Sequence, residues 1–101
     1  ISTALMCYVA QAQSLTREQS QFLSDAEQQG YISCRCNENS VYIKPVLWLR
    51  LPYAQKETLG KMYSIKCANE RRSNLYYVNI FDFYSGRKIA KYSKSFGFDV
   101  Y

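Results

Sequence analysis

The residues of this chain best suited to chemistry are its four cysteines. Cys34 and Cys36 stand two apart in the strand-like run Tyr31-Ile-Ser-Cys-Arg-Cys-Asn37, and Cys67 lies late in a helix-like run. On an extended strand the Cα atoms of residues i and i+2 lie near the upper limit for a disulfide, so a bond between Cys34 and Cys36 is disfavoured. A bond from either one to Cys67 would join a hairpin to a helix. It would close a loop of about 30 residues and stabilise the fold by roughly 3–4 kcal/mol in the chain-entropy picture. Zinc is the rival use of four thiols, but spacings of 26, 1 and 30 intervening residues match no common zinc module. The spacing therefore points to a disulfide from Cys67 to Cys34 or Cys36, with cysteines left reduced as the alternative and no metal assigned. Arg35 would favour a thiolate beside it. Strand alternation turns its side chain to the opposite face, however, so these cysteines read as structural.

Other chemistry finds little support. Histidine is absent, which removes the commonest general base and the commonest metal ligand. No nucleophile–base pair, paired carboxylate or Gly-rich phosphate cradle is visible, so no catalytic residue and no cofactor are assigned. Asp82, just before Tyr84-Ser-Gly-Arg87, reads as a carboxylate accepting hydrogen bonds from turn amides. The single tryptophan, Trp48, reads as an anchor beneath the helices.

The elements that must position these residues follow from periodicity. Thr16-Arg-Glu-Gln19 is a capping-box pattern, Phe22, Leu23 and Ala26 form an apolar stripe, and Gly30 is a natural stop, which predicts a helix over 17–29. A hairpin follows. A two-residue loop at Glu38-Asn39 would pair Cys36 with Val41 and Cys34 with Ile43, placing all four on one face. Pro45 and Pro52 each stand where a helix can begin. The second of these helices carries Leu59, Met62, Tyr63 and Cys67 on one face and Gly60 within it. Leu75 to Phe83 is rich in aromatic and β-branched residues, a turn at Tyr84–Arg87 follows, and Lys88 to Tyr92 returns. Alternating Phe96, Phe98 and Val100 suggest a last strand, with Gly97 marking a bulge. The predicted fold is α+β: an antiparallel sheet of four to five strands with two principal helices packed on one face.

Residues 1–14 permit two readings. Ala4-Leu-Met-Cys-Tyr-Val-Ala10 is apolar and ends in Ala10-Gln11-Ala12, a pattern that signal peptidases cut. The segment is then a signal-peptide remnant, and the chain belongs to a periplasmic or secreted protein in which disulfides persist. Alternatively, Leu5, Tyr8, Ala12 and Leu15 extend the first helix, which would offer a surface for a protein partner or self-association. Residues 15–101 form the single α+β domain on either reading. No apolar run approaches the roughly 18 residues of a membrane span.

Charge is uneven. The chain is +5 overall, yet residues 1–43 carry Arg17 and Arg35 against Glu18, Asp25, Glu27 and Glu38, so the surplus lies entirely in residues 44–101. Arg87, Lys88, Lys91 and Lys94 crowd one hairpin and its exit, close to Tyr84 and Tyr92, while Tyr76 and Tyr77 lie on its first strand. Basic residues interleaved with aromatics are the composition of a surface for single strands or another polyanion. The plainer meaning of the same charge is a solvated surface.

The run Asp82-Phe-Tyr-Ser-Gly-Arg-Lys-Ile89 resembles the Asp-x-x-Ser/Thr-Gly-Lys hairpins of many small exported bacterial domains. The stretch from Leu47-Trp48 through Lys56-Glu57 to Tyr92 is similar to small bacterial proteins of that kind. The resemblance covers about half the chain and implies export from a bacterial cell, with no activity attached. The expected role is an interaction or structural one without catalysis, and binding of nucleic acid or another polyanion is the alternative.

Overall fold

The computed structural model describes residues 14–101. The expectation for Ala10-Gln11-Ala12 falls outside these residues. The reading in which Leu15 carries the first helix upstream is corrected: Ser14, Leu15 and Thr16 are not helical, because Thr16 is an extended N-cap whose side chain ends the helix there.

Helix α1 (Arg17–Gln28) starts at the expected capping box. Thr16 Oγ1 accepts the Gln19 N–H at 3.1 Å, and Gln19 Oε1 accepts the Thr16 N–H at 2.9 Å. Two donors that the first turn leaves unpaired are thereby satisfied. Leu23 and Ala26 are its buried residues. Gly30, at φ +83°, then turns the chain into β1 (Ile32–Arg35).

The hairpin forms with a longer loop than the two-residue turn expected. Cys36 leaves the strand and opens a single 3-10 turn, Cys36–Glu38, which Asn39 closes at φ +51°. Strand β2 (Ser40–Ile43) then pairs with β1 as Ile32↔Ile43 and Cys34↔Val41. The register is displaced by two residues from the expected one. A displacement of two preserves the faces, so Ile32, Cys34, Val41 and Ile43 still share one side.

Pro45 sits in the first turn of the short helix α2 (Pro45–Trp48), and Pro52 is the N-cap of α3 (Tyr53–Arg71). Helix α3 is 19 residues long and so spans about 28 Å. It returns the chain to the end of the sheet at which β2 began. Strand β3 (Tyr77–Asp82) therefore runs parallel to β2, with Val41↔Ile80 in register. Strands β4 (Lys88–Ser93) and β5 (Gly97–Val100) continue antiparallel. The sheet order is β1-β2-β3-β4-β5. The expected purely antiparallel sheet is thus corrected to a mixed one. The cause is the crossover helix, which a reading based on sequential hairpins does not take into account.

One core unites these elements: Leu23 and Ala26 of α1, Leu59, Met62 and Tyr63 of α3, and Val41, Ile43, Val78, Ile80, Ala90 and Phe98 of the strands. Trp48 is buried in the same cluster, and Lys56 Nζ lies 4.9 Å from its ring centre. Asp82 Oδ2 accepts the N–H groups of Tyr84 and Ser85 at 3.1 and 2.7 Å, which holds its carboxyl below the usual carboxylate range and fixes the β3–β4 turn.

Helix α3 approaches the sheet closely at Gly60. A Cβ built there would lie 2.9 Å from Tyr92 Cβ and 3.6 Å from Phe98 Cε1. Alanine would raise helix propensity by about 1 kcal/mol. Tyr92 Cβ, however, is fixed to the β4 backbone and cannot swing aside, so the helix or the strand must shift, at a cost of roughly 1–3 kcal/mol. Gly60→Ala is therefore expected to lower stability by about 1 kcal/mol, the difference of these two effects. Urea unfolding of the variant checks this, and a raised midpoint would show that the contact yields freely.

Candidate functional site

Two places carry unusual chemistry, and they lie on opposite faces of the sheet. The first is a sulfur cluster between the hairpin and α3. Cys36 and Cys67 are joined by a disulfide, with Cα atoms 4.6 Å apart. This is one of the two pairings expected from the sequence. Zinc was set aside there on spacing, but spacing along the chain does not report spatial proximity. The Sγ atoms of Cys34, Cys36 and Cys67 all lie within 4.8 Å of one another. Cys34 is a free thiol, 3.3 Å from Cys36 Sγ and 3.8 Å from Cys67 Sγ.

The cluster is assembled by more than the disulfide. Arg71 Nη1, one helical turn beyond Cys67, donates to Asn39 Oδ1 at 2.6 Å, and the Asn39 carbonyl accepts the Asn79 N–H at 2.8 Å. The 3-10 turn is thereby tied to both α3 and β3. Nearby, Tyr63 Oη donates to Glu27 Oε2 at 3.0 Å, and Lys66 Nζ bridges Glu27 at 3.1 Å and Glu70 at 3.6 Å. Burial pushes the Cys34 thiol up to about 11; Lys66 pulls it down, and Glu27 and Glu70 push it up. Arg35, the residue that would have activated it, faces away as expected, 5.3 Å from the Tyr42 ring centre.

The second place is the face turned away from α3. Alternation buries Val78 and Ile80 of β3 against the helix and turns Tyr77, Asn79 and Phe81 outward. On this face, Asn74, Leu75, Tyr76, Tyr77, Asn79 and Phe96 combine with Lys88, Lys91 and Lys94 to line a groove of about 500 Å³. No carboxylate lines it. Among the described residues none of the three lysines is in an ion pair. Lys94 Nζ lies 5.3 Å from the Tyr76 ring centre, and Lys88 Nζ lies 5.7 Å from that of Tyr101. Beside the groove the Tyr42 and Phe81 rings stack at 5.1 Å, so an aromatic row with Arg35 at its end crosses β1, β2 and β3.

The structure sorts the residues singled out on this hairpin. Lys88, Lys91, Lys94 and Tyr92 border the groove. The Tyr92 side chain leaves the strand on the α3 side, over Gly60, while Tyr84 and Arg87 sit on the exposed β3–β4 turn outside the groove lining. Leu75, Asn79 and Phe96 were not foreseen. The signal for Asn79 was present in the alternation of Tyr77, Asn79 and Phe81 with Val78 and Ile80. Leu75 and Phe96 come from loops, where no period applies.

No family model, curated protein or solved structure matches the chain.

The raised pKa of Cys34 has a direct consequence. A thiol titrating near 11 is almost wholly protonated at neutral pH and is a poor nucleophile. Iodoacetamide is therefore expected to leave Cys34 of the folded protein largely unmodified at neutral pH. The rate should climb as pH approaches 11. Because the folded value lies above the ordinary 9.0, the contribution of Cys34 to stability is full below pH 9 and is lost as pH rises through 11. Mass spectrometry of timed alkylation reads the rate, and labelling at neutral pH as fast as in the urea-unfolded chain would contradict the assignment.

Proposed function

We propose that this chain is an exported, non-enzymatic binding domain, and that the groove beside β3 and β4 receives a polyanion. Three lysines converge with aromatic rings on one groove without any carboxylate in its lining, and this observation carries the reading. Lysines scattered for solubility are normally interspersed with acids; here the acid opposite Lys91, Asp99 on β5, lies outside the lining. Lys94 Nζ lies over the Tyr76 ring, Tyr77 and Phe96 line the same groove, and Phe96 is 86% exposed. Such rings can stack on bases or sugar rings while the lysines neutralise phosphate or sulfate. The outward row of Arg35, Tyr42 and Phe81 would continue the same surface for a longer ligand.

Export is supported by the disulfide, which persists in oxidising compartments, and by the apolar run ending in Ala10-Gln11-Ala12. Among the described residues no helix is long and apolar enough to cross a membrane.

Titration of an oligothymidine strand and of heparin at two salt concentrations tests the groove. Binding is expected at about 50 mM salt and should weaken steeply by about 200 mM, because association releases condensed counterions. Changing Lys88, Lys91 and Lys94 together to Ala should reduce the log–log salt slope for the oligonucleotide by about 2, at roughly 0.7 per phosphate contact. Lys61→Ala removes one exposed charge from α3, outside the groove, and should leave the slope close to that of the parent. Absence of binding to both probes at the lower salt, or a triple variant that binds like the parent, would remove this function.

A further inference from the structure

We infer that Cys34, Cys36 and Cys67 are also the ligands of one thiophilic metal ion, bound when the Cys36–Cys67 bond is reduced. A structural disulfide needs two cysteines. Here a third sulfur is held against the bonded pair, 3.3 Å from one member and 3.8 Å from the other. Thiolates around a tetrahedral ion with metal–sulfur bonds of about 2.3 Å lie roughly 3.8 Å apart. Cys34 therefore already stands near ligand distance from both neighbours. Only the bonded pair must separate for three sulfurs to face a common centre.

The three ligands come from β1, the 3-10 turn and α3, and these elements remain tied together without the disulfide. β1 is paired along its length with β2, and Arg71 holds the turn to α3 through Asn39. Cys36 and Cys67 are buried, whereas Cys34 is partly exposed and gives an entry path. The fourth tetrahedral position would be open. An all-sulfur donor set selects soft and borderline ions such as Zn2+ or Cu+ over Mg2+ or Ca2+. Three thiolates around a divalent ion leave one negative charge, which the Lys66 ammonium, whose field acts on Cys34, partly offsets.

The redox step balances with a dithiol as reductant. Its two thiols become a disulfide as the Cys36–Cys67 bond takes up two electrons and two protons. Binding of the ion by three thiols then releases three protons. In the oxidised protein two of the three sulfurs are committed to each other, so the bond acts as a lock on the site. This inference does not depend on the groove reading.

Anaerobic titration of the reduced full chain with Co2+ tests it. The chain carries Cys7→Ser, so that the clustered thiols are the only ones present. The expected result is sulfur-to-cobalt charge-transfer absorption that saturates at one equivalent and is abolished by one equivalent of Zn2+. The oxidised protein should give no such absorption. Adding Cys34→Ser should abolish it in the reduced chain, while the oxidised form of that variant keeps the Cys36–Cys67 bond and the parent's circular dichroism. A reduced chain that retains its circular dichroism without charge-transfer absorption would overturn the inference. So would a reduced chain that loses its fold and does not regain it on adding Zn2+, or undiminished absorption from the Cys34→Ser variant.

Discussion

The contact of α3 with β3 and β4 is the constraint on which the rest of this structure depends. It buries Leu59, Met62 and Tyr63 against Val78, Ile80, Ala90 and Phe98. A helix of this length laid along the sheet carries the chain back to the end at which β2 began, and so β3 runs parallel to β2. It also sets the separation between helix and strand, which at Gly60 leaves no room for a side-chain carbon. Helix propensity alone would disfavour glycine there, so local preference has yielded to packing.

The same placement brings the sulfurs together. Cys67 lies on the buried face of α3, a little more than two turns beyond Leu59, and so meets the 3-10 turn that follows β1. The disulfide then closes a loop with a sequence separation of 31, which removes roughly 3–4 kcal/mol of conformational freedom from the unfolded chain. For a domain of this size, whose core is limited by its surface-to-volume ratio, a contribution of that order is a large part of the total stability. The Arg71–Asn39 hydrogen bond repeats the same connection in polar form.

Much of this was legible in the chain, and what was missed has identifiable causes. The capping box at Thr16 and Gln19, the helix starts at Pro45 and Pro52, and the presence of three strands in the last third follow from local chemistry, although Leu75 and Phe96 fall outside the strands and the bulge lies at Ile80/Phe81 rather than Gly97. The hairpin register slipped by two because Asn39 adopts a left-handed conformation that closes a 3-10 turn, and nothing in Asn-Glu-Asn-Ser distinguishes that turn from a tighter one. The faces survived the slip because side chains alternate with a period of two. The parallel pairing of β2 with β3 is a long-range consequence of the crossover and has no local signature. In the groove, the lysines of β4 announced themselves by composition, whereas Leu75 and Phe96 are brought in by loops whose paths only the tertiary structure defines.

Neighbouring residues of β1 show how the fold separates its two chemistries. Cys34 points toward α3 and the other sulfurs, while Arg35 points outward to Tyr42. A strand cannot place adjacent side chains on one face, so the buried thiols and the exposed cation are divided by the sheet itself. The same alternation repeats on β3, where Val78 and Ile80 complete the core while Tyr77 and Asn79 line the groove. Lysines whose charge must stay hydrated and accessible are thereby kept from a side where desolvation would penalise them, and the Cys36 and Cys67 sulfurs are kept buried, with Cys34 partly exposed beside them. A ligand on the outer face and a change in bonding among the sulfurs therefore act on opposite surfaces of the same strands. Coupling between them would have to travel through the β1–β2–β3 ladder, whose pairing is held by backbone hydrogen bonds that neither event touches directly.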